Sequence, residues 1–187
     1  MKIGTSAGVS AFTAKVLSIL LLTAVVAVAS GCAGYFGYGT RSLAEPSEFI
    51  SHLDEVGYLT FGGTLGGQYS TTTDLSMEGY IAANVGLTGF ETGDIFFEEV
   101  QFGMKFYPIQ GNVRPYAGAG AVMGFYMEST SDVDTSFDFG VGALGSIGVE
   151  VGKQDAVMLG IDYSYILNSA QKYGGGQLSF NLIIFSK

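Results

Sequence analysis

Between Glu98 and Glu128 the chain reads EEVQFGMKFYPIQGNVRPYAGAGAVMGFYME, and its apolar residues alternate with polar or small ones. Val100, Phe102, Met104 and Phe106 interleave with Glu99, Gln101, Gly103, Lys105 and Tyr107. Beyond a turn carrying Pro108, Gly111 and Asn112, the order resumes. There Ala117, Ala119, Ala121, Met123, Phe125 and Met127 oppose Arg114, Tyr116, Gly118, Gly120, Val122, Gly124, Tyr126 and Glu128. Strand side chains point to opposite faces with period two, so this stretch predicts a long hairpin with one oily and one polar face. Pro115 fits near a strand start, where a missing N–H is tolerated. A soluble sandwich or lipocalin hairpin shares the alternation. Strands of ten or more residues, apolar on one side and polar on the other, suit a closed sheet facing lipid outside and packed side chains inside.

The pattern recurs along the chain. It predicts strands over Tyr58–Ser70, Met77–Phe90, Ser136–Lys153, Ala156–Asn168 and Gly176–Phe185, making seven with the central hairpin. Charged residues are 13% of the 187, about half the usual share for soluble domains. After the N-terminus no apolar run is long enough for a spanning helix. A net charge of −9 argues against nucleic acid as a partner, since phosphate contacts need Lys and Arg.

The string KFYPIQGNVRPYAGAGA resembles the strand–turn–strand unit of small outer-membrane β-barrels of the OmpA/OmpX/OmpW type. The resemblance rests on Phe106 and Tyr107 before the turn, then Arg114, Pro115, Tyr116 and the alternating Gly118 and Gly120. It implies an all-β, closed, antiparallel eight-stranded transmembrane up-and-down barrel. It also implies a bilayer and the barrel-insertion machinery as partners. The closing Leu178, Phe180, Leu182 and Ile184 resemble the assembly signal of such proteins, although Phe185 has the wrong parity and Ser186-Lys187 follow it.

Residues 1–31 read as a signal peptide, with Lys2 and Lys15 before an apolar core at Val16–Val28. Ala29-Ser30-Gly31-Cys32 resembles a lipobox, so Cys32 is the candidate lipidation site; cleavage after Ala29 is the rival reading. Residues 32–187 then form one domain. A spanning barrel of this kind has an even strand number. Gly34–Leu43 is therefore the candidate eighth strand, with residues 44–56 as a first external loop carrying a short helix. This places Cys32 on the periplasmic side of an outer membrane. Turns are expected to be short at Pro108–Val113 and Lys153–Asp155, and longer at Phe90–Ile95, Met127–Thr135 and Asn168–Gly175.

Reactive groups are sparse. His52 is the single histidine, which excludes a His-based metal cluster. Ser51 adjoins it, but adjacent residues rarely point the right way for a nucleophile–base pair, so a solvated loop histidine is expected. Glu128, Asp132 and Asp134 lack the order of a known calcium loop. No spaced basic cluster suggests lipopolysaccharide phosphate binding; Arg41 and Lys172 are the only basic loop candidates. No catalytic, cofactor or metal residues are assigned. On the inward parity, Glu78, Lys105, Arg114 and Glu150 fall near one another across the predicted hairpins. An unpaired charge in a narrow interior is costly, so these four are expected to form a neutralising network that plugs the lumen. The reading is a non-enzymatic outer-membrane lipoprotein barrel, structural or surface-interacting. A lipid-modifying barrel enzyme and a narrow solute channel are the alternatives.

Overall fold

A computed structural model describes residues 33–44, 55–65, 76–88, 93–130, 135–153 and 156–185. The eight strands are β1 Ala33–Ser42, β2 Glu55–Leu65, β3 Ser76–Thr88, β4 Gly93–Tyr107, β5 Val113–Thr130, β6 Thr135–Gly152, β7 Val157–Asn168 and β8 Gly175–Phe185. Each pairs antiparallel with the next, and β1 pairs with β8, so the sheet closes into a barrel. Ala33 pairs with Phe185, and that end is called basal here; the other end is distal.

The register fixes the barrel's width. From Tyr126, cross-strand partners run through Phe97, Gly86, Tyr58, Gly39, Ser179, Asp162 and Gly148. They return to β5 at Tyr116, ten residues below the start. Eight strands with that stagger tilt steeply and enclose a lumen that side chains can fill.

Parity decides which side chains enter. Leu159, Leu167, Phe125, Phe137, Phe139, Ile147 and Phe180 point outward and are well exposed, as are Phe36 and Tyr38 on β1. An apolar surface on all sides of a closed sheet is a bilayer-facing band, and the chain is a membrane-spanning barrel. Inside, several glycines face an aromatic ring from the next strand. A Cβ at Gly39 would strike the Tyr58 ring; at Gly62, the Tyr35 ring; at Gly86, the Phe97 ring; at Gly148, the Tyr116 ring. Large residues thus fit a narrow cylinder because the neighbouring position is empty. Gly111, in the β4–β5 turn, and Gly175, at the start of β8, have φ of 135° and 125°, a region that favours glycine.

Boundaries differ from the sequence expectation at the distal end. β4 begins at Gly93, β5 runs to Thr130 and β6 begins at Thr135, inside the segments expected as loops at Phe90–Ile95 and Met127–Thr135, because these strands keep pairing. The end of the strand expected over Tyr58–Ser70 lies, beyond Leu65, outside the described residues. Beyond Gly142↔Asn168, β6 pairs only with β5, so the β5–β6 hairpin stands above β7. The first connection also ends earlier than expected, since Glu55 and Val56 belong to β2.

Candidate functional site

The site is the lumen, whose inward side chains form layers. At the base, Arg114 enters from the start of β5 and is buried. Its Nη1 donates to Glu78 Oε1 at 2.8 Å and its Nη2 to Glu150 Oε2. Lys105 Nζ reaches Glu150 Oε1 at 3.0 Å, and the Tyr107 hydroxyl donates to the same oxygen at 3.1 Å. The Arg114 guanidinium also lies 4.3 Å from the Tyr107 ring centre. Adjacent strands explain the meeting, because Glu78 pairs with Lys105 and Arg114 with Glu150 in the ladder. The structure therefore brings Glu78, Lys105, Arg114 and Glu150 together across four strands.

A second layer lies nearer the distal end. Arg41 of β1 and Glu99 of β4 are both fully buried. They form a bidentate pair, Nη1 to Oε1 at 2.6 Å and Nη2 to Oε2 at 2.5 Å. This planar fork-to-carboxylate match is the strong form of the interaction. Gln177 Oε1 accepts from Arg41 Nε and Nη2, and Gln177 Nε2 donates to Ser164 Oγ at 2.7 Å. The Tyr126 hydroxyl donates to Glu99 Oε1 at 2.5 Å. Arg41 also faces the Phe97 ring at 4.6 Å. Four hydrogen bonds thus tie this buried cation to Glu99 and Gln177.

Above this layer the chain caps its own mouth. A 3-10 turn, Gln171–Tyr173, follows β7, and Tyr173 stacks on Tyr126 with ring centres 4.1 Å apart. Val56, Tyr58, Ile95, Phe97, Tyr126 and Tyr173 form one buried cluster. Lys172 Nζ reaches Glu128 Oε2 at 3.0 Å and Asp138 Oδ2 at 3.8 Å. Burial, and then the neighbouring Glu128 and Asp138 carboxylates, hold the Tyr173 phenol well above its ordinary value. The N–H of Ala44 donates to Gly174 O at 2.9 Å, tying the turn to the end of β1.

Comparison with solved structures places this architecture. The crystal structure of Ail, the attachment invasion locus protein of Yersinia pestis, superposes with a TM-score of 0.54 at 16% identity, covering 82% of this chain and 96% of that one. The crystal structure of Neisserial surface protein A gives 0.51 at 15% identity, covering 83% and 96%. The fold is that of the small eight-stranded outer-membrane barrels. No protein-family profile matches the sequence, and no curated protein does.

Within this barrel several sequence expectations need correction. Arg41 and Lys172 were the basic loop candidates. Arg41 instead has the inward parity of β1, as do Tyr35 and Gly39, and is sealed inside. Lys172 turns back over the mouth to Glu128. Glu128 is buried on the inward face of β5, the polar face of its strand in the sequence, and β5 extends to Thr130. Cys32, Ser51, His52, Asp132 and Asp134, with the segment 1–31, lie outside the described residues. Among the described residues no cluster of His, Cys, Asp or Glu is placed to hold a metal.

Sequence reasoning found the basal layer and missed the distal one. Glu99 was already on the polar face of its hairpin, so its inward direction was legible. Its partner was not, because Arg41 lies 58 residues away, across the lumen and not along a ladder.

Proposed function

We propose that this protein is a non-enzymatic outer-membrane barrel that serves as a structural or surface-interaction scaffold, with its lumen plugged by side chains. The observation that carries this reading is the pair of ion-paired layers, Arg114 with Glu78 and Glu150 at the base and Arg41 with Glu99 above. Two such layers under an aromatic cap support a plugged lumen over a resting solute channel. The likeness to Ail, described as an attachment invasion locus protein, supports a role at a surface. In this reading the basal end faces the periplasm, and the tall β5–β6 hairpin faces outward. The signal segment 1–31 is removed, and Cys32 carries an acyl anchor at the periplasmic side. The apolar band takes the bilayer as partner, and the barrel-insertion machinery places it there.

Planar-bilayer recording tests the plug. Wild-type protein should show at most rare, small openings, whereas Arg114→Ala and Arg41→Ala should each raise their size or lifetime. A wild-type barrel with steady ohmic conductance, unchanged in both variants, would remove the plug from the proposal. Labelled palmitate tests the anchor, since Cys32→Ala should abolish incorporation while leaving a heat-modifiable barrel. Incorporation retained in that variant would show that Cys32 is not the anchor.

A further inference from the structure

The tall β5–β6 hairpin leaves one sheet edge open. Val141 of β6 donates its N–H to Ser169 Oγ at 3.0 Å and accepts from the Ser169 N–H at 2.9 Å. Its peptide groups therefore face β7. Directions repeat every second residue in an antiparallel ladder, so the N–H and C=O of Phe139 and Phe137 face the same way. Among the described residues no strand lies beside them. The β6–β7 ladder begins only at Gly142↔Asn168, and the chain beyond Ser169 turns in over the mouth, where Tyr173 stacks on Tyr126. β5 holds the other side of the segment through Met127↔Phe137 and Phe125↔Phe139.

The outer face of the same segment is apolar. Phe137, Phe139 and Phe125 are 69%, 56% and 63% exposed, and the Phe125 and Phe139 rings lie 5.0 Å apart. Hydrocarbon does not cover the top of this hairpin, because lipid offers no partner to the backbone of an open sheet edge and such edges do not occur at that depth. The two upper phenylalanines therefore extend the apolar band past the bilayer core, as a patch beside an open edge. An edge of this kind templates a further strand unless Lys, Pro or a bulge blunts it. Residues 135–140, TSFDFG, carry neither Lys nor Pro, and their register with β5 is unbroken.

Asp138 selects among partners. It has the inward parity between the two phenylalanines, and its side chain is 44% exposed. Lys172 Nζ lies 3.8 Å from it while bonding Glu128 at 3.0 Å. A like charge directly opposite Asp138 would be unfavourable, and an opposite charge favourable. A second copy in the same membrane does not fit the edge. Rotation about the membrane normal leaves both β6 strands descending, so their steeply tilted edges cross and do not pair. We propose that the β6 edge at Phe137–Phe139 takes an extended segment of another protein as an added strand, with apolar residues against the phenylalanines and a basic residue opposite Asp138. Main-chain bonds supply affinity in such an arrangement, and alternate side chains supply selectivity. The inference rests on the surface-interaction reading above and names its kind of partner; the plugged lumen has no part in it.

The test adds a fluorescently labelled peptide of alternating lysine and valine, about six residues long, to the full mature chain refolded in lipid nanodiscs, with empty nanodiscs as background. Anisotropy should report binding. Methylating the peptide's backbone nitrogens should weaken it about tenfold, the loss of two hydrogen bonds. A glutamate–valine peptide should bind about threefold more weakly, and Asp138→Asn should erase that difference. Phe137→Pro removes an N–H that the β5 ladder does not use, at an edge position where Pro is tolerated. It should keep a heat-modifiable barrel and lose about tenfold in peptide affinity. Should that variant fail to fold, the methylated peptide on the wild-type barrel makes the same test. Equal binding of the methylated peptide, or no binding at about 1 mM, would overturn the proposal. A barrel dimer that Phe137→Pro abolishes, without peptide uptake, would overturn it too, by making the occupant a second copy. Conductance is unaffected by any of these outcomes and tests the plug separately.

Discussion

Glu98 and Glu99 are neighbours in sequence with opposite surroundings, and exchanging each for alanine separates parity from charge. Glu99 points inward and is fully buried against Arg41. Glu98 points outward, with Val85 and Phe125 as its cross-strand partners. Glu99→Ala removes both carboxylate bonds to Arg41 and the acceptor for Tyr126. Stranding one member of a buried pair costs about 3–5 kcal/mol. Arg41 keeps Gln177 Oε1 and the Phe97 ring, the latter worth up to about 2 kcal/mol when desolvated. The loss should therefore fall near the lower end, about 3 kcal/mol, or roughly 150-fold in the unfolding constant. Glu98→Ala takes a carboxylate off the lipid face and should change stability by less than about 1 kcal/mol, in either direction. The double variant Arg41→Met/Glu99→Leu removes the charges together and should recover most of the loss, because an apolar replacement of a buried pair is often neutral or better. The assay is urea unfolding of the refolded protein in lipid vesicles, followed by far-UV circular dichroism, since the chain has no Trp. Equal midpoints for the Glu98 and Glu99 variants would refute the inward assignment. A double variant less stable than Glu99→Ala would refute the stranded-charge reasoning.

Two glycines make a second matched pair. A Cβ at Gly148 would meet the Tyr116 ring and Ile161 O, while one at Gly145 has open space outside the barrel, so Gly148→Ala should cost about 1–3 kcal/mol in the same urea titration and Gly145→Ala should be silent. The cap supplies a pH prediction. Because the folded Tyr173 phenol is held above its unfolded value, its contribution is fully present below about pH 10 and is lost as pH rises through that region and beyond. Proteolysis at the 169–174 connection should accelerate above about pH 10 in the wild type, and Tyr173→Phe should show a smaller rise over the same range.

The sequence by itself determined seven strands and their faces. Alternation is local: each residue's direction follows from that of the residue before it, and an outward Phe125 or Leu159 needs no knowledge of distant chain. The basal charges were legible for the same reason, because Glu78 lies opposite Lys105, and Arg114 opposite Glu150, within ladders that consecutive strands must form. Strand ends were less legible, since hydrogen-bond pairing carried β4 to β6 through residues whose composition suits a loop. What tertiary structure alone decided is the contact across the lumen. Arg41 meets Glu99, Tyr126 meets Tyr173, and Asp162 lies beside a polar chamber because a stagger of ten sets which heights on opposite walls coincide. That stagger is a property of the closed ring. No single hairpin contains it, and a register shift in any one strand pair would exchange every partner across the barrel while leaving the alternation of the sequence untouched.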